Sequence, residues 1–192
     1  MMVNRVLGAA LVAAALAFSG TAGQAADYRI DSGHSFVQFK ISHVGVSWMI
    51  GTFEEISGSF TFDSDAGPEA QSISVEIETA SVDTNHAERD KHLRSADFLN
   101  VDEFPTATFV STGYEGDAEG GTMTGDLTLH GVTREIAIAV SKVGEGKDPW
   151  GGYRAGFEGS VSLTRKDFGM GYNLGPAAET MKLFLFIEGV RQ

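Results

Sequence analysis

Apolar and polar residues alternate in many short windows after residue 26, as expected of strands with one buried face and one exposed face. About eight such windows occur, which predicts about eight strands. Their apolar rows are Val37, Phe39 and Ile41; Phe60 and Phe62; Ile73, Val75 and Ile77; Ala107 and Phe109; Met123, Leu127 and Leu129; Ile136, Ile138 and Val140; Ala155, Phe157 and Val161; and Met181, Leu183, Leu185 and Ile187.

One segment departs from this alternation. Residues 85–95 are rich in charge and lack Gly and Pro, and Asn85 precedes Glu88 by three positions, the spacing of a capping box. We expect a helix there. Gly120-Gly121 and His130-Gly131 are typical of hairpin turns between neighbouring strands.

These elements favour an all-β fold, an antiparallel β-barrel with one inserted helix, because an α/β fold needs repeated crossover helices. A β-sandwich is the main structural alternative. A barrel of about eight strands encloses room either for its own side chains or for one elongated small ligand. Periodicity alone leaves both fillings open.

The first residues have the features of an export signal. Arg5 precedes an apolar run from Val6 to Phe18, and Gly23-Gln24-Ala25 provides small residues for signal peptidase. We therefore expect residues 1–25 to be a signal peptide cleaved near Ala25, and residues 26–192 to form a single domain. No second apolar stretch suits an integral membrane anchor, and there is no Cys to carry a lipid.

Charge and cysteine content narrow the classes of partner. The chain has a formal net charge of −12, and loss of residues 1–25 would remove one further cation, Arg5. Such a charge repels nucleic acid, so we expect no nucleic-acid partner. With no cysteine in the chain, no disulfide stabilises the domain, and folding depends on one apolar core.

The run Ser81-Val-Asp-Thr-Asn-His-Ala-Glu-Arg-Asp-Lys-His-Leu-Arg-Ser-Ala-Asp-Phe-Leu99 closely resembles the central motif of the YceI family. Further stretches that resemble the family follow its order along the chain: 34–45, 105–109, 125–129 and 148–152. The resemblance covers essentially all of residues 26–192.

Membership of this family would imply an elongated, lipocalin-like antiparallel barrel that is often dimeric, so a homodimer is among the expected assemblies. It would also imply a long hydrophobic pocket for a polyisoprenoid or another long-chain amphiphilic lipid. Many family members are exported bacterial proteins, and together with the signal peptide this makes the periplasm the expected location.

The candidate ligand-binding residues are mainly the apolar residues that are predicted to face inward. His43 occupies the next inward position after Ile41 on the same strand. Arg94 offers planar N–H donors to a polar head group. The alternatives are that the apolar side chains simply fill a packed core, that His43 is satisfied by a backbone carbonyl, and that Arg94 braces the helix. The full set is Val37, Phe39, Ile41, His43, Phe60, Phe62, Ile73, Val75, Ile77, Phe109, Leu127, Leu129, Ile136, Ile138, Phe157, Val161 and Arg94.

We expect no catalytic residues, no cofactor and no metal site. His86 and Asp90 are four residues apart on the predicted helix, as are Glu88 and His92, but this is not the spacing of a zinc protease. No Gly-x-Ser-x-Gly elbow or phosphate-binding Gly-rich loop is found.

The resulting hypothesis is a periplasmic binding protein, not an enzyme, that sequesters or carries an isoprenoid or similar lipid inside the barrel. One alternative is a lipid-modifying enzyme that uses His43 or the acidic groups near Asp90 for proton transfer. The other is an envelope stress or interaction protein whose barrel is packed and empty of ligand.

Overall fold

The computed structural model describes residues 25–192. The predicted signal peptide, apart from Ala25, lies outside these residues. Within them, no helix combines the length and the hydropathy needed to cross a bilayer. The strands are β1 Ala26–Ile30, β2 Phe36–His43, β3 Ser47–Phe53, β4 Ile56–Phe62, β5 Ser72–Glu78, β6 Val82–Asp83, β7 Thr106–Gly116, β8 Gly120–Leu129, β9 Val132–Lys147, β10 Tyr153–Thr164 and β11 Thr180–Arg191, and the helix is α1 Ala87–Arg94.

All strand pairings are antiparallel, and the sheet closes on itself. The ring runs β1-β4-β5-β7-β8-β9-β10-β11 and returns to β1 through pairs such as Ile30 with Gly189. This confirms the predicted barrel of about eight strands with one helix and excludes the sandwich, which would leave two separate sheets.

The remaining strands lengthen the barrel on one side. The second half of β11 pairs with β1, whereas its first half pairs with β2, and β3 and β6 follow outward from β2. Sequence alternation does not predict β1 or β3. β1 has only two buried apolar residues, and β3 carries apolar residues on both faces, with Trp48 and Ile50 exposed, so no alternation remains to detect.

Two turns were predicted from dipeptides that contain glycine, and one prediction was wrong. His130-Gly131 forms the β8–β9 turn, with φ of 52° and 72°, the left-handed values that a tight hairpin turn needs. Gly120-Gly121 instead lies in β8. The preceding turn is held by Asp117, whose Oδ1 accepts from the amides of Glu119 and Gly120.

Helix α1 is shorter than predicted and begins differently. Its N-cap is His86, whose Nδ1 accepts from the Arg89 amide, while Asn85 lies outside the helix with φ of 61°. Ser95 ends the helix, and its hydroxyl donates to the carbonyl of His92. The helix therefore occupies the predicted place in the chain with a different cap.

The barrel interior contains two packed clusters. One surrounds the end of the barrel beside α1, where Leu129, Phe168 and Met170 are buried together. The other lies around Tyr28 and Phe60 in the opposite half. We call the first the closed end and the opposite end the mouth.

Candidate functional site

An internal cavity of about 140 Å³ runs through the half of the barrel next to the mouth. Its apolar walls come from β2, β4, β5 and β7–β11, so almost every strand of the barrel contributes. The apolar residues lining it are Val37, Phe60, Phe62, Ile73, Val75, Ile77, Phe109, Ala118, Met123, Leu127, Ile136, Ile138, Val140, Phe157, Val161, Leu183, Leu185 and Ile187.

Aromatic rings build one wall of the cavity. Phe157 meets Phe60 and Phe62 edge to face, with ring centroids 5.5 and 5.0 Å away. Phe60 also stacks on Tyr28. A Cβ at residue 189 would overlap the Phe60 ring, so Gly189 is what allows β11 to approach this aromatic wall.

Polar residues border the cavity only towards the mouth. They come from the β4–β5 connection, the β7–β8 turn and the neighbouring parts of β7, β9 and β10. These residues are Thr61, Gln71, Ser72, Tyr114, Asp117, Lys142 and Glu158. An elongated amphiphile would therefore meet apolar walls along its tail and polar groups at its head.

Lys142 is the only cation among the described residues that line the cavity. It continues the inward row of Ile136, Ile138 and Val140 on β9, and its side chain is 13% exposed. Its Nζ lies 2.7 Å from Glu119 Oε1 and 5.7 Å from the Phe62 ring centre. The hydrogen bond with Glu119 raises the pKa of Lys142, outweighing the effect of burial, so it remains a cation at neutral pH.

Most of the predicted ligand-binding residues lie in the cavity wall. The alternating parity of the strands placed them there, because side chains at every second position share a face. They are Val37, Phe60, Phe62, Ile73, Val75, Ile77, Phe109, Leu127, Ile136, Ile138, Phe157 and Val161.

Four other predicted residues lie at or beyond the closed end and do not border the cavity. Phe39 and Leu129 belong to the packed cluster there. Ile41 is half-buried and pairs with Met181 and Met49. His43 is exposed at the end of β2. Phe39 and Leu129 face inward as predicted, but the position of all four residues along the barrel axis puts them outside the cavity.

Arg94 also lies away from the cavity, at the end of α1. Its Nε donates to the carbonyl of Ala80 at 2.7 Å, and its Nη2 donates to the carbonyl of Val82 at 2.6 Å. These contacts tie the helix to the chain around β6. Arg94 therefore braces the helix, which was the alternative to contact with a ligand head group.

Sequence reasoning missed the polar residues at the mouth. Lys142 could have been found, because it extends the row of Ile136, Ile138 and Val140 by one further inward position. Gln71 precedes β5 and carries no such signal. Tyr114 lies beyond a register shift in the β7–β8 pair, so simple alternation cannot place it.

The helix residues considered as metal ligands do not converge. Asp90 is buried, and its Oδ1 accepts from the amide and hydroxyl of Thr84. His92 instead pairs with Asp97 through its Nε2. Burial opposes ionisation of Asp90, but the two bonds from Thr84 outweigh it and lower the pKa.

A second acidic group lies outside the barrel, where Asp31, His34 and Glu188 bring potential ligand atoms together. Arg154 occupies the same place, since its Nη1 donates to Asp31 Oδ2 and Glu188 Oε1. The hydrogen bond from Arg154 lowers the pKa of Asp31 to about 2. Arg154 already bridges these carboxylates, so the cluster forms an ion-pair network.

The barrel, its internal cavity and its polar mouth define a class: closed antiparallel β-barrels with an apolar internal pocket. Residues 28–188 match the model of the YceI-like domain, and the chain belongs to the YceI family. A UPF0312 protein of Ectopseudomonas mendocina is 58% identical over 190 residues, which cover 97% of this chain and 95% of that one. A UPF0312 protein of Yersinia enterocolitica is 50% identical and covers 99% of both chains.

Solved structures share the fold. The Campylobacter jejuni YceI protein superposes with a TM-score of 0.70 at 29% identity, covering 79% of this chain and 90% of that chain. A polyisoprenoid binding domain from Saccharophagus degradans gives a TM-score of 0.65 at 17% identity and covers 86% and 98% of the two chains. At that identity the second likeness shows the fold alone.

Proposed function

We propose that this protein binds a long-chain apolar lipid, such as an isoprenoid, inside the barrel and holds it without changing it. The observation that carries the proposal is the cavity, whose walls are apolar along their length and polar only at the mouth. Each tail methylene moved from water into such a pocket contributes up to about 0.8 kcal/mol. Affinity would then come mainly from the tail.

The neighbour from Saccharophagus degradans, which has the same fold, is described as a polyisoprenoid binding domain. This supports the choice of ligand class for the present chain. The titratable side chains that border the cavity, such as Lys142 and Asp117, stand at the mouth, away from the tail region. That arrangement favours holding a lipid over converting it.

The size of the cavity sets a condition on binding. A void of about 150 Å³ accepts a benzene-sized molecule, and the present cavity of about 140 Å³ is of that order. A tail of several prenyl units needs more room, so its entry must displace side chains such as Phe157, Leu183 and Leu185. We infer that the barrel widens on loading.

The periplasm is the proposed place of action. The support is the export signal in residues 1–25, together with the absence of cysteine from the chain, which makes folding independent of the redox compartment. Fractionation of cells expressing the full chain with a C-terminal tag tests this. We expect a shortened protein starting near Ala26 in the periplasmic fraction; an uncleaved protein in the cytoplasm would contradict it.

Titration with prenyl alcohols of increasing length tests the binding proposal. The protein is first freed of lipid, and calorimetry then compares the alcohols with two, three and four prenyl units. We expect affinity to rise with each unit until the tail fills the widened barrel. Affinity independent of tail length, or no binding of any of the alcohols, would contradict a tail-holding pocket.

A further inference from the structure

The mouth of the cavity has a distinctive charge arrangement. Lys142 lies 2.7 Å from Glu119 Oε1 and 3.5 Å from Glu145 Oε1, so its charge is already balanced by two carboxylates. An ammonium group has three N–H donors. One donor therefore remains for an oxygen atom of a ligand, while no net positive charge remains to attract an anion.

The rest of the mouth adds negative charge. Asp117 also borders the cavity, and no second Lys or Arg does so among the described residues. A phosphate entering here would meet one neutralised cation and several carboxylates. The negative charges of the phosphate and of these carboxylates would repel each other, most strongly at low ionic strength.

Gln71 provides a second polar contact at the same height in the barrel. It immediately precedes Ser72, the partner of Thr61, and so lies beside Phe62, the ring next to Lys142 Nζ. Its Nε2 donates to the carbonyl of Asp63 at 2.8 Å, which fixes the orientation of the amide. Its Oε1 is buried, and no group in residues 25–192 donates to it.

A buried acceptor without a donor is costly, and a ligand that brings an O–H group removes that cost. A hydroxyl can accept from Lys142 and donate to Gln71 at the same time. A phosphate monoester dianion can only accept. We call the carboxylates of Asp117, Glu119 and Glu145 the acidic rim of the mouth. Lys142, Gln71 and this rim all suit an uncharged head group that carries a hydroxyl.

We propose that the mouth selects an uncharged head group bearing a hydroxyl, as in an isoprenoid alcohol or phenol, and discriminates against phosphorylated isoprenoids. The inference rests on the proposed function and narrows its ligand class. Lys142 and Gln71 act as the head-group contacts. The carboxylates of the rim supply the discrimination.

Calorimetric titration of the lipid-free protein with farnesol and with farnesyl phosphate at low salt tests this. The two probes share one tail, so the difference reports the head group. We expect farnesol to bind about tenfold more tightly, and the difference to shrink at high salt as the rim is screened. Equal binding, or tighter binding of farnesyl phosphate, would overturn the inference while leaving the pocket proposal intact; binding of neither would contradict the proposed function itself.

Two variants separate the roles of the charges. Glu119→Gln releases Lys142 from its main partner, so affinity for farnesyl phosphate should rise and the preference should fall to about threefold or less. Lys142→Met keeps the apolar stem and should weaken farnesol binding about fivefold by removing one donor. Unchanged farnesol affinity in Lys142→Met would show that Lys142 is not a head-group contact.

Lys182→Met is the matched control. Lys182 also lies over a phenyl ring, that of Phe184 at 4.9 Å, but it does not border the cavity. Lys182→Met changes charge and side-chain shape in the same way as Lys142→Met. We expect it to bind farnesol and farnesyl phosphate with the affinities of the wild type.

Farnesyl methyl ether tests the Gln71 contact. It keeps the oxygen acceptor and loses the O–H donor, so wild type should bind it about fivefold more weakly than farnesol. In Gln71→Met this difference should disappear. A difference that persists in Gln71→Met would show that Gln71 does not receive the hydroxyl.

Discussion

The two ends of the barrel differ, although largely the same strands build both: one end is filled by side chains, and the other contains a cavity. At the closed end, Leu129, Phe168 and Met170 are buried in one apolar cluster, and α1 lies against the chain around β6. Towards the mouth, the same inward parity produces a cavity and ends in polar residues such as Lys142 and Gln71. Strand periodicity is shared by both ends, so it cannot by itself distinguish core from pocket.

The difference comes from what covers each end. At the closed end, Arg165 is buried and donates to the carbonyls of Ala178, Met170 and Tyr172, which holds the 165–180 connection over the barrel. Towards the mouth, the connection between β7 and β8 is a short turn at Asp117, which borders the cavity. We therefore expect the closed end to contribute mainly stability, and the mouth half to contribute the proposed lipid binding.

The largest expected effect is that of a cavity made in the closed end. Leu129→Ala should lower the free energy of unfolding by about 3 to 4 kcal/mol, because its neighbours are packed around it. Leu185→Ala makes the same change in the cavity wall and should cost only about 2 kcal/mol, since contacts are already missing there. Urea unfolding measures both. Equal losses would break the distinction between the two ends.

Asp90→Ala at the closed end should cost about 2 to 3 kcal/mol, because the Thr84 amide and hydroxyl lose a charged acceptor. The pKa of Asp90 is lowered on folding, so its contribution is present above its ordinary value of 3.8 and is lost as pH falls through the folded pKa. Urea unfolding between pH 7 and pH 2.5 tests this. The difference between wild type and variant should shrink as pH falls below 3.8, and a difference that grows as pH falls would contradict the role of the carboxylate.

Filling the cavity tests the mouth half alone. Val140→Phe should strongly reduce lipid loading while changing the free energy of unfolding by only about 1 kcal/mol, because the new ring occupies existing space. Val143→Phe is the control, since Val143 lies on the same strand but is exposed. Calorimetry with farnesol and thermal unfolding provide the two readouts. Full loading of the Val140→Phe variant would place the ligand elsewhere.

The smallest effect belongs to the ion pairs outside the barrel. Asp31→Asn should lower stability at neutral pH by less than about 1 kcal/mol, because solvent screens much of the interaction with Arg154. The folded pKa of about 2 lies below the ordinary value, so this contribution is present above pH 3.8 and is lost as pH falls towards 2. Unfolding curves across that range check it, and a larger loss at pH 2 than at pH 7 would contradict it.

Alternation along the chain was sufficient to predict most of the barrel strands and most of the residues of the cavity wall, since residues such as Val75 and Phe157 alternate with polar neighbours. It failed for β3, where Trp48 and Ile50 are apolar on the exposed face. It also failed for Gly120-Gly121, where the carboxylate of Asp117 determined the turn. Local side-chain hydrogen bonds outweighed the glycine signal.

The limits of the pocket could not be predicted, because they depend on position along the barrel axis as well as parity. Phe39 and Leu129 face inward, as expected, yet they pack into the closed end. Gln71 became a pocket residue through the path of the β4–β5 connection, which no periodic pattern describes. Arg94 met backbone carbonyls across the fold at Ala80 and Val82, and such long-range partners leave no trace in local sequence.

The proposed lipid-holding barrel is tested by native mass spectrometry of the protein purified from its own cells, followed by organic extraction. We expect one bound isoprenoid molecule per chain, carrying an uncharged head group, and its loss from the Val140→Phe variant. Protein that is consistently empty in the wild type, with Val140→Phe indistinguishable from it, would contradict a lipid-holding barrel.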